Sequence, residues 1–100
     1  MKFYIAGKIA GDKDYKAKFQ DAEQRLIDAG HVALNPAKHP DGLSRADYMR
    51  LCFAMMETAD VVLFLPDWRD SPGARLEREW CLYVGKQTAY HLEDYERSRR

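Results

Sequence analysis

Residues 60–86 constrain the fold more than any other part of the chain, because a short apolar run is followed by a complete helix signal. The run 61–65 is rich in valine and leucine, and such a segment is typical of a strand buried on both faces of a sheet. Ser71 and Pro72 form a helix start, with the serine as N-cap and the proline at the first helical position. Gly85 is the expected C-terminal stop. A buried strand, a polar loop and a helix N-terminus predict a ligand site at the strand's carboxyl end.

Two further helices are predicted from helical periodicity. Apolar residues recur at helical spacing over residues 14–29, and Gly30 is the expected stop. Ser44 is expected to cap a second helix, with Asp47 three residues later as a variant of the capping box. The first of these helices is predicted to bury Tyr15, Phe19, Ala22, Leu26 and Ala29. The second is predicted to carry one apolar stripe of Tyr48, Leu51, Met55 and Ala59 and another of Met49, Phe53 and Met56. The helix after Ser71 is predicted to bury Leu76, Trp80 and Val84. A helix with two apolar sides is either deeply buried or carries a partner surface, and both alternatives stay open.

Three more strands complete a βαβαβαβ order. They are predicted at residues 2–7, 31–35 and 87–92. This order indicates a parallel sheet with right-handed crossovers, in the strand order 2-1-3-4 and with helices on both faces. The fold class is α/β, a flavodoxin-like or Rossmann-like three-layer sandwich. Ligands bind where the strand order reverses, so the site is expected from residues 4–12 and 66–77.

The bulk composition narrows the function and the location. The 16 basic and 16 acidic residues cancel, so no global charge indicates a nucleic acid polymer or a membrane surface as partner. No apolar run approaches the ~20 residues of a membrane span. Cys52 and Cys81 show no paired spacing, which fits reduced thiols and a cytoplasmic protein. The histidines are scattered, so we expect no metal.

The chain length predicts one small domain. We assign residues 1–92 to it and interpret the charged, aperiodic residues 93–100 as a tail that is frayed helix or disorder. A core this small makes a homodimer or a larger homo-oligomer plausible.

Glu77 is the leading candidate for chemistry. A carboxylate near a helix N-terminus is expected to be held ionised by the helix dipole, which is the state that a nucleophile requires. The alternative is that Glu77 belongs to a solvated charged face, since Arg75, Arg78 and Glu79 are its neighbours. Spacing alone does not choose between the two.

Other candidates lie in the two predicted loops. Asp67 is suited to binding a hydroxyl or supplying a proton, although loop aspartates usually make turns. Trp68 would either stack on a base or cover the end of the sheet. Gly7 and Lys8 lie where backbone amides would approach a phosphate, but the surrounding GKIAG is neither a Walker A nor a dinucleotide-binding sequence.

Several separated motifs resemble those of the nucleoside 2-deoxyribosyltransferase-like superfamily, most closely its compact bacterial and phage branch, a domain of unknown function. They are YIAG at the first strand, ADVVLFLPDW at the third, SPGARLE followed by GK, Asn35-Pro36, Asp47-Tyr48-Met49, and Trp68 through Ala74. Together they extend over most of the chain. The chain is also similar to 2′-deoxynucleoside 5′-phosphate N-hydrolases of the same superfamily.

The resemblance implies roles for individual residues. The superfamily's nucleophilic glutamate lies four residues after the motif glycine and eight before the glycine of Gly-Lys; Gly73 and Gly85 both place it at Glu77. The tyrosine that orients this carboxylate corresponds to Tyr4. Ser71 stands where the hydrolases have a serine and the transferases an acidic residue, and an uncharged hydroxyl at a helix N-terminus suits phosphate.

The remaining implied contacts lie in the loops. Asp67 would assist the base, Trp68 would stack on it, and Gly7 and Lys8 would help to hold the 5′ end; Gly73 joins the substrate-binding set. One residue departs from the pattern, because Cys52 stands where these families often carry an acidic residue. A thiol is a poor substitute for a carboxylate in accepting hydrogen bonds or moving protons, so Asp47, Asp67 or a water would have to replace it.

The resemblance therefore predicts cleavage or transfer at the N-glycosidic bond of a (deoxy)nucleoside or its 5′-monophosphate, without cofactor or metal. Members of the superfamily pair subunits so that one contributes to its neighbour's site. The alternative is an inactive nucleotide-binding module that senses or sequesters its ligand, which the Cys52 departure favours. A purely structural subunit is a third possibility, and it leaves the loop residues unexplained.

Overall fold

A computed structural model describes residues 1–98 of the chain. Four strands alternate with four helices, and 3₁₀ turns at Pro36–Lys38 and Trp68–Asp70 follow the second and third strands. The elements are β1 Lys2–Ala6, α1 Tyr15–Asp28, β2 Val32–Leu34, α2 Arg45–Thr58, β3 Val61–Phe64, α3 Pro72–Val84, β4 Gln87–Ala89 and α4 Leu92–Ser98. The predicted N-caps Ser44 and Ser71 are confirmed, since each hydroxyl oxygen accepts a hydrogen bond from the backbone N–H three residues on.

The sheet confirms the predicted fold class. Its order is β2-β1-β3-β4, and all three strand pairs are parallel. Tyr4 of β1 is in register with Leu34 of β2 on one side and with Val62 of β3 on the other. The strand order therefore reverses between β1 and β3, as expected for a flavodoxin-like sheet.

Two separate cores lie on the two faces of this sheet. Successive side chains of a strand point to opposite faces. Phe3 and Ile5 consequently join the core beneath α1 and α4, whereas Tyr4 and Ala6 join the core that packs against α2 and α3. This alternation places the Tyr4 phenol among the side chains of α2 and α3.

The buried face of α3 differs from the predicted one. Leu76 and Val84 are 53% and 52% exposed, whereas Ala74, Glu77 and Cys81 are almost fully buried. The expected apolar stripe is therefore wrong by one residue, a rotation of about 100° around the helix axis. Helical periodicity locates the stripe of apolar residues. It carries no information about the sheet that the helix faces, where the Tyr4 hydroxyl donates to the Glu77 carboxylate.

The buried side of α2 also combines residues that the sequence assigned to different stripes. Cys52, Met56 and Ala59 are at most 2% exposed, while Leu51 is 41% exposed. Cys52 belonged to neither predicted stripe. Burial here follows the surface of the sheet rather than the residues with the largest apolar side chains.

The C-terminal segment packs as part of the domain. Tyr95 of α4 is 5% exposed, and its ring centroid lies 5.0 Å from that of Phe3 and 6.0 Å from that of His31. Glu96 lies 2.8 Å from His31 Nε2. The expectation of a frayed or disordered tail is therefore corrected for residues 93–98, while residues 99–100 of that expectation lie outside the described part. Within residues 1–98, no helix has the length and apolar character needed to cross a membrane.

Candidate active site at the strand switch point

The loops that follow β1 and β3 meet at the switch point, the place at the carboxyl ends of these strands where the strand order reverses. The backbone N–H of Leu65 donates to the Ala6 carbonyl at 2.8 Å, and the Lys8 N–H donates to Asp67 Oδ1 at 3.1 Å. A Cβ on Gly7 would lie 3.0 Å from Leu65 Cδ1 and 3.2 Å from Asp67 Oδ1. Gly7 thus has a packing role, because only a residue without a side chain allows the two loops to approach so closely.

Tyr4 and Glu77 form a buried hydrogen-bonded pair beside these loops. The Tyr4 hydroxyl donates to Glu77 Oε2 at 2.5 Å, and the two residues are 1% and 5% exposed. Tyr4 comes from the central strand β1, and Glu77 comes from the second turn of α3 on the buried side of that helix. The alternative of a solvated charged face is therefore wrong for Glu77.

The ionisation of Glu77 differs from the expectation. Burial raises the pKa of its carboxyl to about 7, and the hydrogen bond from Tyr4 offsets part of this rise. The helix dipole acts mainly within the first turn, whereas Glu77 lies six residues after the N-cap Ser71. Burial, followed by the charge of Glu77, raises the pKa of Tyr4 well above its usual value. The phenol therefore remains a donor while the carboxyl exchanges its proton near neutral pH.

Cys52 and Tyr48 of α2 adjoin this pair. Cys52 is 1% exposed, and burial raises the pKa of its thiol to about 11, so the thiol stays neutral. Burial first, then the neighbouring Cys52 and Glu77, raises the pKa of Tyr48. Tyr48 is absent from the site predicted from the sequence. The available signal was its place in the Asp47-Tyr48-Met49 motif, one helical turn before Cys52.

Asp67 is held in place by a lysine that we also missed. Lys18 Nζ of α1 contacts Asp67 Oδ2, lies 2.6 Å from Asp12 Oδ2 and donates to the Lys8 carbonyl at 2.8 Å. The bond with Lys18, followed by one from a backbone N–H, lowers the pKa of Asp12. Lys18 therefore links the β1–α1 loop to the β3–α3 loop. Nothing in the local sequence distinguished it from the other lysines of that helix.

Three expected binding residues surround the helix N-termini. The Ser71 oxygen caps α3 by accepting from a backbone N–H at 3.1 Å. A Cβ on Gly73 would meet Met49 Sδ at an ordinary 3.9 Å, so packing does not require a glycine there. Asp47 lies in the exposed first turn of α2, where its carboxylate is 3.2 Å from Arg50 Nη1. The structure therefore gives Asp47 a surface ion pair and places no contact between it and Glu77 among the described residues.

Trp68 covers the end of β3. Its ring centroid lies 5.9 Å from that of Phe64 and 6.1 Å from that of Tyr90. The guanidinium carbons of Arg69 and Arg78 lie 4.8 and 4.9 Å from the same ring. Trp68 is thus engaged by aromatic and cationic neighbours at the carboxyl edge of the sheet.

The central feature of the site is the Glu77 carboxyl and the Tyr4 phenol, which are buried together away from solvent. In the described part of the chain, no group of three His, Cys, Asp or Glu residues could hold a metal ion. Surface cavities of about 440 and 680 Å³ lie along α4 and beside the C-terminal end of α3, and neither is lined by Tyr4 or Glu77. A carboxyl with a pKa near neutrality and a fixed phenol donor can act as a nucleophile when ionised or as an acid when protonated.

The fold defines a class of protein, the compact α/β domains with a nucleoside deoxyribosyltransferase-like fold. A solved 2-deoxyribosyltransferase from Bacillus psychrosaccharolyticus superposes with a TM-score of 0.70. The two sequences are 22% identical, and the match covers 88% of this chain and 69% of that one. The superfamily resemblance seen in the motifs is thereby confirmed at the level of the fold.

The family model matches almost the entire chain. Residues 1–99 fit DUF4406, a domain of unknown function, and the chain belongs to this family. No curated protein sequence matches it significantly.

Proposed function

We propose that this protein cleaves or transfers the N-glycosidic bond of a (deoxy)nucleoside or of its 5′-monophosphate, with Glu77 as nucleophile. The observation that carries the proposal is the buried hydrogen bond of 2.5 Å between Tyr4 and Glu77 at the strand switch point. The deoxyribosyltransferase activity named for the solved structure of similar fold is consistent with this class of reaction.

The proposed reaction follows the logic of a retaining glycosidase. Ionised Glu77 attacks C1′ of the sugar as the C1′–N bond breaks, and the bonding electron pair leaves with the base, which takes up a proton. The transition state resembles an oxocarbenium ion, and the product is a glycosyl ester on Glu77. Water or a second base then attacks C1′ and releases the carboxylate, which gives hydrolysis or transfer. Tyr4 orients the carboxylate throughout by donating to Oε2.

The loops would supply the binding groups. Gly7, Lys8 and Ser71 would hold the 5′ end of the substrate, since the Ser71 hydrogen remains available to donate while its oxygen caps α3. Asp67 would assist the departing base, from a position that Lys18 holds against the first loop. Trp68 would border the base at the edge of the sheet.

We also propose that the protein assembles as a homodimer or a larger homo-oligomer. Leu76, Tyr83 and Val84 are 53%, 92% and 52% exposed, and with the partly buried Trp80 they form an apolar surface that we term the outer face of α3. The Trp80 ring contacts Phe53 of α2 at 5.9 Å, which extends this surface onto the neighbouring helix. A second copy of the chain would bury it. Both cysteines are free, which supports a cytoplasmic location.

A nucleotide-binding module without turnover is the second candidate function. Its support is the Cys52 thiol, which burial keeps neutral and which therefore cannot replace a carboxylate in proton transfer. In that case Glu77 and Tyr4 would contribute to ligand binding only.

Release of free base tests the proposal directly. Wild type, Glu77→Gln and Glu79→Gln would be incubated with ribo- and deoxynucleosides and their 5′-monophosphates, and the products separated by chromatography. We expect release by the wild type, near-complete loss in Glu77→Gln, and little change in Glu79→Gln, because Glu79 is exposed on the same helix. Absence of release from every substrate, with nucleotide binding retained in calorimetry, would instead establish the binding module.

A further inference from the structure

We propose that the Tyr48 hydroxyl and His39 Nε2 form a substrate-contacting pair beside Glu77, which takes an uncharged polar group of the substrate such as a sugar hydroxyl or a base carbonyl. This inference rests on the proposed function and names two residues that neither the motifs nor the comparisons assign to substrate. It addresses the position that Cys52 leaves without a carboxylate.

The two side chains are neighbours at the carboxyl edge of the sheet. Their ring centroids lie 5.5 Å apart in an edge-to-face arrangement with an interplanar angle of 87°. His39 ends the 3₁₀ turn after β2, and Tyr48 lies in the first half of α2. Tyr48 packs against the core that contains Tyr4 and Cys52, and Glu77 is close enough to influence its ionisation. Tyr48 therefore connects His39 to the core in which Tyr4 meets the proposed nucleophile.

Both polar atoms are buried without a strong hydrogen-bond partner. By distance and angle, neither Tyr48 Oη nor His39 Nε2 has a hydrogen bond within residues 1–98. The Cys52 thiol is close enough to Tyr48 to interact with its hydroxyl, but a thiol is only a weak partner that a substrate oxygen would replace. Most buried polar side-chain atoms are hydrogen-bonded, and leaving one unpaired is costly. Two such atoms on contacting rings, beside the core in which Tyr4 meets the proposed nucleophile, indicate groups arranged to meet a ligand.

The chemistry of the pair suits an uncharged partner. Burial raises the pKa of Tyr48, so its hydroxyl remains a donor, and an imidazole nitrogen such as His39 Nε2 can donate or accept according to the position of its hydrogen. Tyr48 and Cys52 lie four residues apart on α2 and therefore share a side of that helix. Tyr48 can accordingly offer the hydrogen bond that the Cys52 thiol forms only weakly.

A ligand can reach these atoms with little movement. Both side chains as a whole are only partly buried, although their polar ends are covered. A small rotation of either ring as the substrate enters would bring the hydroxyl or the imidazole nitrogen into contact with it.

Tyr48→Phe, with Thr58→Val as control, tests the role of Tyr48. Thr58 is an exposed residue at the other end of α2, and its hydroxyl donates to the Ala54 carbonyl of the same helix. Calorimetric titration with the four 2′-deoxynucleoside 5′-monophosphates should show binding to the wild type and to Thr58→Val, and about tenfold weaker binding to Tyr48→Phe. His39→Gln should weaken the binding of the same ligand to a similar extent.

Urea unfolding of the same variants is a second measurement. If the Tyr48 hydroxyl had a purely structural role, its removal would lower the urea midpoint. A buried hydroxyl that lacks a strong partner adds no stability to the free protein and costs desolvation, so Tyr48→Phe should unfold at the wild-type urea midpoint or above it. A lower midpoint would mean that the hydroxyl has an internal partner, and the proposal would be wrong.

The outcomes separate this inference from the proposed function. Equal affinity of wild type and Tyr48→Phe would refute the contact while base release by the wild type still supports the enzyme. No binding and no release by the wild type would overturn both. Titrations with 2-deoxyribose 5-phosphate and with adenine then show whether the weakened contact is to the sugar or to a base.

Discussion

The Tyr4 hydroxyl and the Glu77 carboxylate, 73 positions apart in the chain, lie 2.5 Å apart in the fold. This contact joins the central strand to the second turn of α3 and brings a carboxyl group into an apolar core. Its consequence is an acid whose pKa is raised to about 7 by burial.

The raised pKa of Glu77 predicts a pH-dependent stability. The ordinary value is 4.5, so between pH 4.5 and about 7 the folded protein keeps a proton that the unfolded chain has released. The stability from the neutral carboxyl is complete below this window and is lost as pH rises through it, by roughly 3 kcal/mol. Urea denaturation across the window should show this decline in wild type and in Glu79→Gln. Glu77→Gln should lack it, and an equal slope in that variant would contradict the assignment.

Removal of the Tyr4 hydroxyl should shift the titration of Glu77. The hydrogen bond from Tyr4 lowers the pKa of this carboxyl against the effect of burial, so Tyr4→Phe should raise the pKa further above about 7. The infrared band of the protonated carboxyl, followed against pH, reports the midpoint. Tyr83→Phe should leave it unchanged, because that hydroxyl is on the surface. A midpoint that moves to lower pH would contradict the donor role of Tyr4.

Lys18 should hold the β1–α1 loop and the β3–α3 loop together. In Lys18→Met, Asp67 loses its cation and the Lys8 carbonyl loses a donor. The free energy of unfolding should fall by only about 1 kcal/mol, because the two partners are each 27% exposed. The amide hydrogen of Lys8, which donates to Asp67 Oδ1, should exchange faster with solvent. The control is Lys16→Met, because Lys16 is an exposed lysine of the same helix. If the Lys8 amide hydrogen exchanged at the same rate in both variants, Lys18 would not be what links the two loops.

Gly7 and Gly73 should respond oppositely to alanine. Gly7→Ala places a Cβ 3.0 Å from Leu65 Cδ1 and should destabilise by about 1–3 kcal/mol. Gly73→Ala meets its nearest atoms at 3.9 Å and lies within a helix, so it should be neutral or stabilising by up to about 1 kcal/mol. Urea midpoints measure both. A tolerated Gly7→Ala would mean that the loops can separate without cost.

The outer face of α3 should mediate self-association. Sedimentation should find the wild type as a dimer or larger, and Leu76→Glu should shift it toward monomer by placing a charge in the interface. Ile27→Glu is the matched control, since Ile27 is 49% exposed on α1 at the opposite face of the sheet. A monomeric wild type would exclude this proposal.

Much of the fold was predictable because it depends on local signals. The apolar run of β3, the N-caps Ser44 and Ser71 and the stop at Gly85 each act within a few residues. Alternation of strands and helices then implied the parallel sheet, and the strand order was confirmed. For the site, spacing alone left Glu77 undecided; the family resemblance implied Glu77 and Tyr4, and the structure brings these two together.

The tertiary structure alone decided which face of each helix is buried and which side chains meet. Glu77 of α3 faces inward and meets the Tyr4 hydroxyl of another element, and Tyr95 packs against Phe3 and His31. Lys18 and Asp67 are 49 positions apart, so no local pattern could pair them. Short-range propensities act through neighbours in the chain, whereas burial and charge pairing act through neighbours in space. The sequence alone therefore determined the four strands, the first three helices and their order. Packing determined the docking of α4, the raised pKa of Glu77 and the linked loops around it.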